Sequence, residues 1–290
     1  MMKADDFPRR IEIEFTNACN SKCVYCPRNF GVGEEGFMRL GLYKKIIDEA
    51  KPHHETTLQL HRRGESLLHP DFTGMLLYTK GLFKEVQLAT NAILLDKDKS
   101  ELISQVVTFI SFSIDLPDKY HLKRGVDAYK SVHENIDYFL KINRKAKTQV
   151  SMVKDPSVKD EDVEKFKELW IGKVDTIRVY EEHSVGGVYG ATRVKRDKRM
   201  PCAKPFTDMV IYWNGKVVRC NHDWSNRPLG DVNTHAIGEI WMNEEFKRLR
   251  GRQVSLDFRD EDVCSKCDSW YSQEGRQETG YIFKAADKEI

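Results

Sequence analysis

No apolar run in these 290 residues approaches the roughly 20 that a membrane-spanning helix needs. The start, MMKADDFPRR, lacks the apolar core of a signal peptide. From both absences we expect a cytoplasmic protein with no membrane partner. Net charge is missing as well: 47 basic side chains against 45 acidic ones leave +2, so no global field gathers nucleic acid and no nucleic-acid partner is expected. Nor is there an even number of cysteines. Seven thiols in a reducing compartment make a poor disulfide framework, because one is left over in any pairing, and this points to metal or redox chemistry.

What is present is an alternation of strand-like and helix-like runs, the pattern of βα units around a parallel sheet. Strands are predicted over 10–16, 56–60, 85–90, 107–114, 149–153 and 174–180, with helices over 41–50, 71–80, 97–105, 129–143 and 160–170 between them. The Gly-rich, basic stretch 183–200 reads as a linker. Beyond it, DMVIYWNGKVVRC carries two β-rich runs joined by Asn214-Gly215, a pair that tolerates positive φ and so predicts a hairpin. A helix is predicted over 236–249, and the polar residues from 271 on are assigned no structure. The division expected is a barrel over 8–185, a small hairpin-plus-helix domain over 186–270 and a polar tail over 271–290.

Cys19, Cys23 and Cys26 form C-x3-C-x2-C directly after the first strand, where α/β folds place their chemistry. Three thiolates can hold three irons of a [4Fe–4S] cube and leave the fourth iron open, whereas a closed structural site calls for four protein ligands. On spacing alone the alternatives are a zinc site completed by a distant histidine such as His53 or His54, or three unrelated cysteines. Cys202, Cys220, Cys264 and Cys267 supply a complete shell for either a second cube or a tetrahedral zinc, and ligand count does not choose between them.

The first motif resembles the signature of the radical S-adenosylmethionine (SAM) superfamily, in which the open iron is chelated by the methionine part of SAM. Several segments extend the resemblance over residues 10–181. Leu60 to Pro70 is similar to the Gly-Gly-Glu region, with Gly64 and Glu65 in place and Arg63 standing where the family often has its first glycine. LATNAILL is similar to T-N-G-x-L-L, and Ser113 with Asp115 to S-x-D. Arg124-Gly125 resembles a basic position near the SAM carboxylate. The resemblance implies a partial (β/α)6 barrel. It places Tyr25 near adenine, Glu65 at the SAM amino group, Ser113 and Asp115 by the ribose, and Gly64, Asn91 and Arg124 among the SAM contacts. The block from Pro201 to Cys267 resembles the twitch domain, the shortened SPASM domain, whose four cysteines hold one auxiliary [4Fe–4S] cluster.

The resemblance therefore implies two [4Fe–4S] clusters, SAM as co-substrate, and an electron donor such as flavodoxin or ferredoxin. In barrel length and cysteine spacing the chain is especially similar to the 2-deoxy-scyllo-inosamine dehydrogenases. That implies an oxidoreductase which takes a hydrogen atom from a small sugar-like or aminocyclitol-like alcohol and passes an electron to the auxiliary cluster. About ten residues before the first strand leave no room for a leader-binding domain, which also fits a small substrate. The alternatives are a maturase that crosslinks or epimerises a ribosomally made peptide, a sugar or nucleoside decarboxylase or epimerase, and a non-catalytic iron–sulfur sensor or zinc module. Arg178, Tyr180, Glu182 and His183, at the end of the sixth strand, are the candidates for a catalytic base.

Overall fold

The predicted strands alternate apolar and polar residues, and the computed structural model turns that alternation into a sheet with a helix-covered outside and a polar inside. It describes residues 3–31, 33–182, 184–189, 199–225, 227–271 and 281–284. The strands are β1 (Arg10–Ile13), β2 (Thr57–Gln59), β3 (Val86–Thr90), β4 (Phe109–Ser113), β5 (Lys147–Lys154), β6 (Thr176–Glu181), β7 (Asp208–Ile211), β8 (Lys216–Val218), β9 (Gly230–Asp231) and β10 (Tyr281–Lys284). The helices are α1 (Leu40–Ala50), α2 (Phe72–Thr79), α3 (Lys97–Val106), α4 (Tyr120–Arg124), α5 (Tyr129–Ile142), α6 (Asp160–Trp170), α7 (Lys204–Thr207), α8 (Ile237–Trp241), α9 (Glu244–Ser255) and α10 (Asp262–Lys266).

Strands β1 to β6 run parallel in chain order. The sheet does not close, because β7 occupies the free edge of β1 and β10 that of β6. Ile11, Ile13, Leu58, Leu88, Ile110, Phe112, Val150, Met152, Ile177 and Val179 are buried in the core. Burying each such side chain stabilises by about 1.5–3 kcal/mol. The intervening positions are polar and meet across strands. Gln59 donates to Gln87 at 2.7 Å, Gln149 to the Ser111 hydroxyl at 2.9 Å, and Glu12 stands on β1 with Glu14 just past its end.

The hairpin turns at Asn214-Gly215 as expected, with Gly215 at φ 87°. Its first strand, β7, lies parallel to β1 in the register Arg10 to Asp208, so the second unit continues the barrel's sheet. The single helix expected over 236–249 is two: Asn243 accepts from the Phe246 amide at 2.9 Å and caps α9. Such a local cap competes with helix continuation. Within the expected tail, β10 pairs antiparallel with β6. His183 lies outside the described residues, as does most of that tail. No helix among the described residues is long and apolar enough to cross a membrane.

Candidate active site and metal centres

After β1 the chain cannot continue as strand, because the cysteine loop is fastened to two neighbours. The Lys22 and Val24 amides donate to the Arg124 and Lys123 carbonyls, both at 2.9 Å, and the Glu65 amide donates to the Ala18 carbonyl at 2.9 Å. Two glycines permit these approaches. A Cβ on Gly64 would lie 2.3 Å from the Ala18 oxygen. One on Gly125, which ends α4 at φ 65°, would lie 2.7 Å from the Lys22 oxygen.

Cys19, Cys23 and Cys26 thereby face a common cavity of about 380 Å³ at the carboxyl ends of the strands. The structure brings Tyr25, Gly64, Glu65, Asn91, Ser113 and Arg124 to the same cavity. Burial pushes the Cys19 thiol up to about 11 and raises Cys26 as well, so a bound cation is what would favour their thiolates. Asn91 Nδ2 lies 4.0 Å from the Cys19 sulfur and donates to Asn20 at 2.7 Å. Ala92, where the family pattern carries glycine, adopts φ 58°.

Glu65 is buried and accepts from the Asn91 amide at 2.8 Å, the Thr90 hydroxyl at 2.9 Å and the Leu67 amide at 3.1 Å. Burial raises its carboxyl above the ordinary value. A carboxylate has about four acceptor sites, so capacity remains for one more donor. Asp115 does not line the cavity. It accepts from Arg124 Nε at 2.5 Å and from the Tyr25 hydroxyl at 3.0 Å, and so orients two side chains that do. Arg124 Nη1 in turn reaches the Cys23 sulfur at 3.9 Å.

Of the base candidates, Tyr180 and Glu182 line the cavity and Arg178 does not; it is buried, with its guanidinium 4.8 Å from the centre of the Tyr180 ring. Sequence reasoning missed Glu181, His61, Val185, Tyr189, Asn221, His222 and Trp224, which also line the cavity. The Ala89 amide donates to His61 Nδ1 at 3.1 Å, which leaves the proton of the neutral ring on Nε2. Burial and then Arg62 push this imidazole down to about 4. The 183–200 stretch is more than a linker. Gly186, at φ 63°, has room for no Cβ beside the His222 carbonyl at 2.4 Å, and the Tyr189 hydroxyl donates to the Tyr25 carbonyl.

The residue that departs from the family pattern has its own task. Arg63 lines the same cavity, but its guanidinium pairs with Glu14 through Nε at 2.6 Å and Nη2 at 2.8 Å and lies 3.6 Å from the centre of the Tyr212 ring. Arg62 reaches Glu12 at 3.3 Å and the Asp223 carbonyl at 3.2 Å, over Trp224. Two barrel arginines therefore clasp the second unit. Burial raises Glu12 to about 7, against the attraction of Arg62.

Cys202, Cys220, Cys264 and Cys267 surround one small interior cavity, which His222 also lines. Buried Gln253 bridges two of them, accepting from the Cys202 amide at 3.0 Å and donating to the Cys264 sulfur at 3.5 Å. Burial pushes Cys264 up to about 12 and Cys220 well above the ordinary thiol value. Four buried or half-buried sulfurs about one cavity can supply one thiolate to each iron of a cube, so the donor set fits a closed cluster as the first trio fits an open one. Among the described residues, no three His, Cys, Asp or Glu side chains converge on a position for a single metal ion; a cube does not require that, since each thiolate binds its own iron.

Residues 13–169 match the sequence pattern of the radical SAM superfamily, and residues 202–268 that of SPASM, an iron–sulfur cluster-binding domain. A cofactor-modifying protein of the tungsten-containing aldehyde ferredoxin oxidoreductase, from Pyrococcus furiosus, is 32% identical over 41% of this chain, which spans 36% of that protein's length. The structure of BtrN in complex with AdoMet and 2-DOIA superposes with a TM-score of 0.66 at 18% identity, over 96% of this chain and 100% of that one. Streptococcus suis SuiB bound to its precursor peptide SuiA superposes with a TM-score of 0.73 at 16% identity, over 94% and 72%. The open six-strand barrel, the cysteine trio at its mouth and the matched sequence patterns together establish that this chain belongs to the radical SAM superfamily, with a SPASM-type iron–sulfur domain behind the barrel.

Proposed function

We propose that the chain oxidises a small hydroxylated substrate, sugar-like or aminocyclitol-like, to the ketone. Cys19, Cys23 and Cys26 hold the SAM-binding cluster, and Cys202, Cys220, Cys264 and Cys267 hold the auxiliary one. The observation that carries this reading is a shared wall. His222 lines both the large cavity beside the first trio and the interior cavity of the second set, so a substrate in the large cavity sits between them.

When bound, SAM and the open cluster supply a 5′-deoxyadenosyl radical, and the closed cluster takes up an electron. Glu65, with its remaining acceptor capacity, holds the SAM ammonium, and Arg124, oriented by Asp115, faces its carboxylate. Ser113 and Asn91 contact the nucleoside, and Tyr25 stands at the adenine. His61 offers a fixed Nε2–H to a substrate oxygen. Glu181 and Glu182 at the rim accept the hydroxyl proton released as the carbonyl forms, and Tyr180, Tyr189 and Trp224 keep water away. Overall, SAM and the alcohol yield methionine, 5′-deoxyadenosine, the ketone and one proton. The starting electron comes from a flavodoxin- or ferredoxin-type donor.

BtrN, crystallised with AdoMet and 2-DOIA, supports the small-molecule reading, and it matches along its whole length. The peptide-bound SuiB favours a second reading, in which the same cavity receives a side chain of a peptide. Reconstituted protein, SAM and reductant are incubated without oxygen with a panel of aminocyclitols and sugars. One ketone formed per 5′-deoxyadenosine supports oxidation. Turnover of none of the panel, with modification of a precursor peptide instead, overturns it.

A further inference from the structure

Three cations stand around the four-cysteine cavity: Arg199, Lys204 and Arg219. Two of them are neutralised. Lys204 lies 2.9 Å from Asp208, and Arg219 pairs with Asp223 at 2.8 Å and Glu261 at 3.0 Å. Arg199 differs, since no carboxylate among the described residues is paired with it. Its guanidinium lies 4.5 Å from the centre of the Phe258 ring and 5.1 Å from that of Trp270, which hold it in place. Nη1 donates to the Cys267 carbonyl at 2.9 Å, while Nε is buried with no hydrogen-bond partner. Its principal electrostatic neighbours are the sulfurs of Cys267, Cys264 and Cys202.

The cation at the other cysteine loop is not in this state. Arg124 reaches the Cys23 sulfur, but Asp115 cancels its charge at 2.5 Å. Hydrogen bonds to sulfur occur at both sites, from Gln253 and the His222 amide at one and from Asn91 and Arg124 at the other. What separates the two sites is a positive charge with no carboxylate partner among the described residues.

We propose that Arg199 raises the reduction potential of the auxiliary cluster and so makes it the electron acceptor of the reaction. An electron arriving there adds one negative charge to a site that four thiolates already make anionic. A fixed cation beside it, half-buried against aromatic rings that reduce its screening by water, stabilises the reduced form more than the oxidised one. The electron comes from the substrate radical once its hydroxyl proton has left; the substrate becomes a ketone and the cluster is reduced by one electron. The inference rests on the assignment above of the four cysteines to that cluster.

The test uses the full chain carrying Cys23→Ala, reconstituted without oxygen, so that one cluster remains to be titrated. Its midpoint potential is read by electron paramagnetic resonance, with and without Arg199→Gln. The expected result is a fall of about 59 mV or more, a tenfold loss in the equilibrium for accepting an electron. Arg199→Lys, which keeps the charge, restores most of it, and Arg199→Met serves as the neutral variant if the Gln protein loads iron poorly. An unchanged midpoint in a neutral variant that keeps about four irons overturns the role of Arg199 alone. A fall that Arg199→Lys does not repair also overturns it, because the effect is then one of packing. Absence of any cluster from the Cys23→Ala parent overturns the cysteine assignment and the proposal with it.

Discussion

The two cysteine sites are built from the same ligand chemistry and differ in what surrounds it. The first trio lies on a loop that opens onto a cavity of about 380 Å³, its neighbouring cation cancelled by an aspartate. The second set is enclosed by α7, α9 and α10, bridged by a buried glutamine and faced by a cation with no carboxylate partner among the described residues. An open site can exchange a ligand and admit substrate. A closed one, with every ligand position filled by the protein, is suited to taking and returning charge rather than to exchanging a ligand. Between them runs a seam of buried ion pairs, Glu14 with Arg63 and Glu12 with Arg62, that fixes one site relative to the other.

The sharpest way to break this division is Cys23→Ala, which removes a ligand of the open site. SAM cleavage falls to background in a 5′-deoxyadenosine assay, and cleavage equal to the parent's refutes the assignment. Next in size, Cys264→Ala abolishes the product while sparing uncoupled cleavage within about twofold, and bound iron falls from about eight atoms per chain to about four. Arg63→Ala leaves Glu14 buried without its partner and lowers stability by about 3–5 kcal/mol, measured by denaturant unfolding of the apoprotein.

The smallest effect is on the pH dependence of the seam. Glu12 has a folded value of about 7, above its ordinary 4.5, so its contribution to stability is full below 4.5 and is lost as pH rises to 7. His61 has the opposite sign: its value of about 4 lies below 6.5, so its contribution is present above 6.5 and is lost as pH falls to 4. Glu12→Gln therefore steepens the loss of stability on acidification from 7 to 4, and His61→Gln flattens it. Each change is at most about 3 kcal/mol, read from unfolding curves along a pH series.

Much of the barrel was legible because its period was. The predicted helix over 160–170 coincides with α6, and the strand predicted over 85–90 differs from β3 by one residue. Seven cysteines could be divided into three and four from spacing alone, and the structure gathers each group about its own cavity. The split between α8 and α9 was less legible, since the Asn243 cap competes with an apolar pattern that runs through it. The pairing of β10 with β6 and of β7 with β1 is non-local and leaves no periodic trace.

By itself, then, the sequence determined the chemistry available to this protein. Thiols at those spacings, a Gly-Glu pair behind β2 and polar residues closing β3 and β4 are local properties of the chain. Tertiary structure decided what they do together. Arg63 became a clasp because Glu14 and Tyr212 meet it from two distant segments. His222 became a shared wall, and Arg199 a cation facing the auxiliary sulfurs, because long-range packing put each beside sulfurs far from it along the chain. Side-chain types set which interactions are possible, but distances across 200 residues exist only once the sheet has formed.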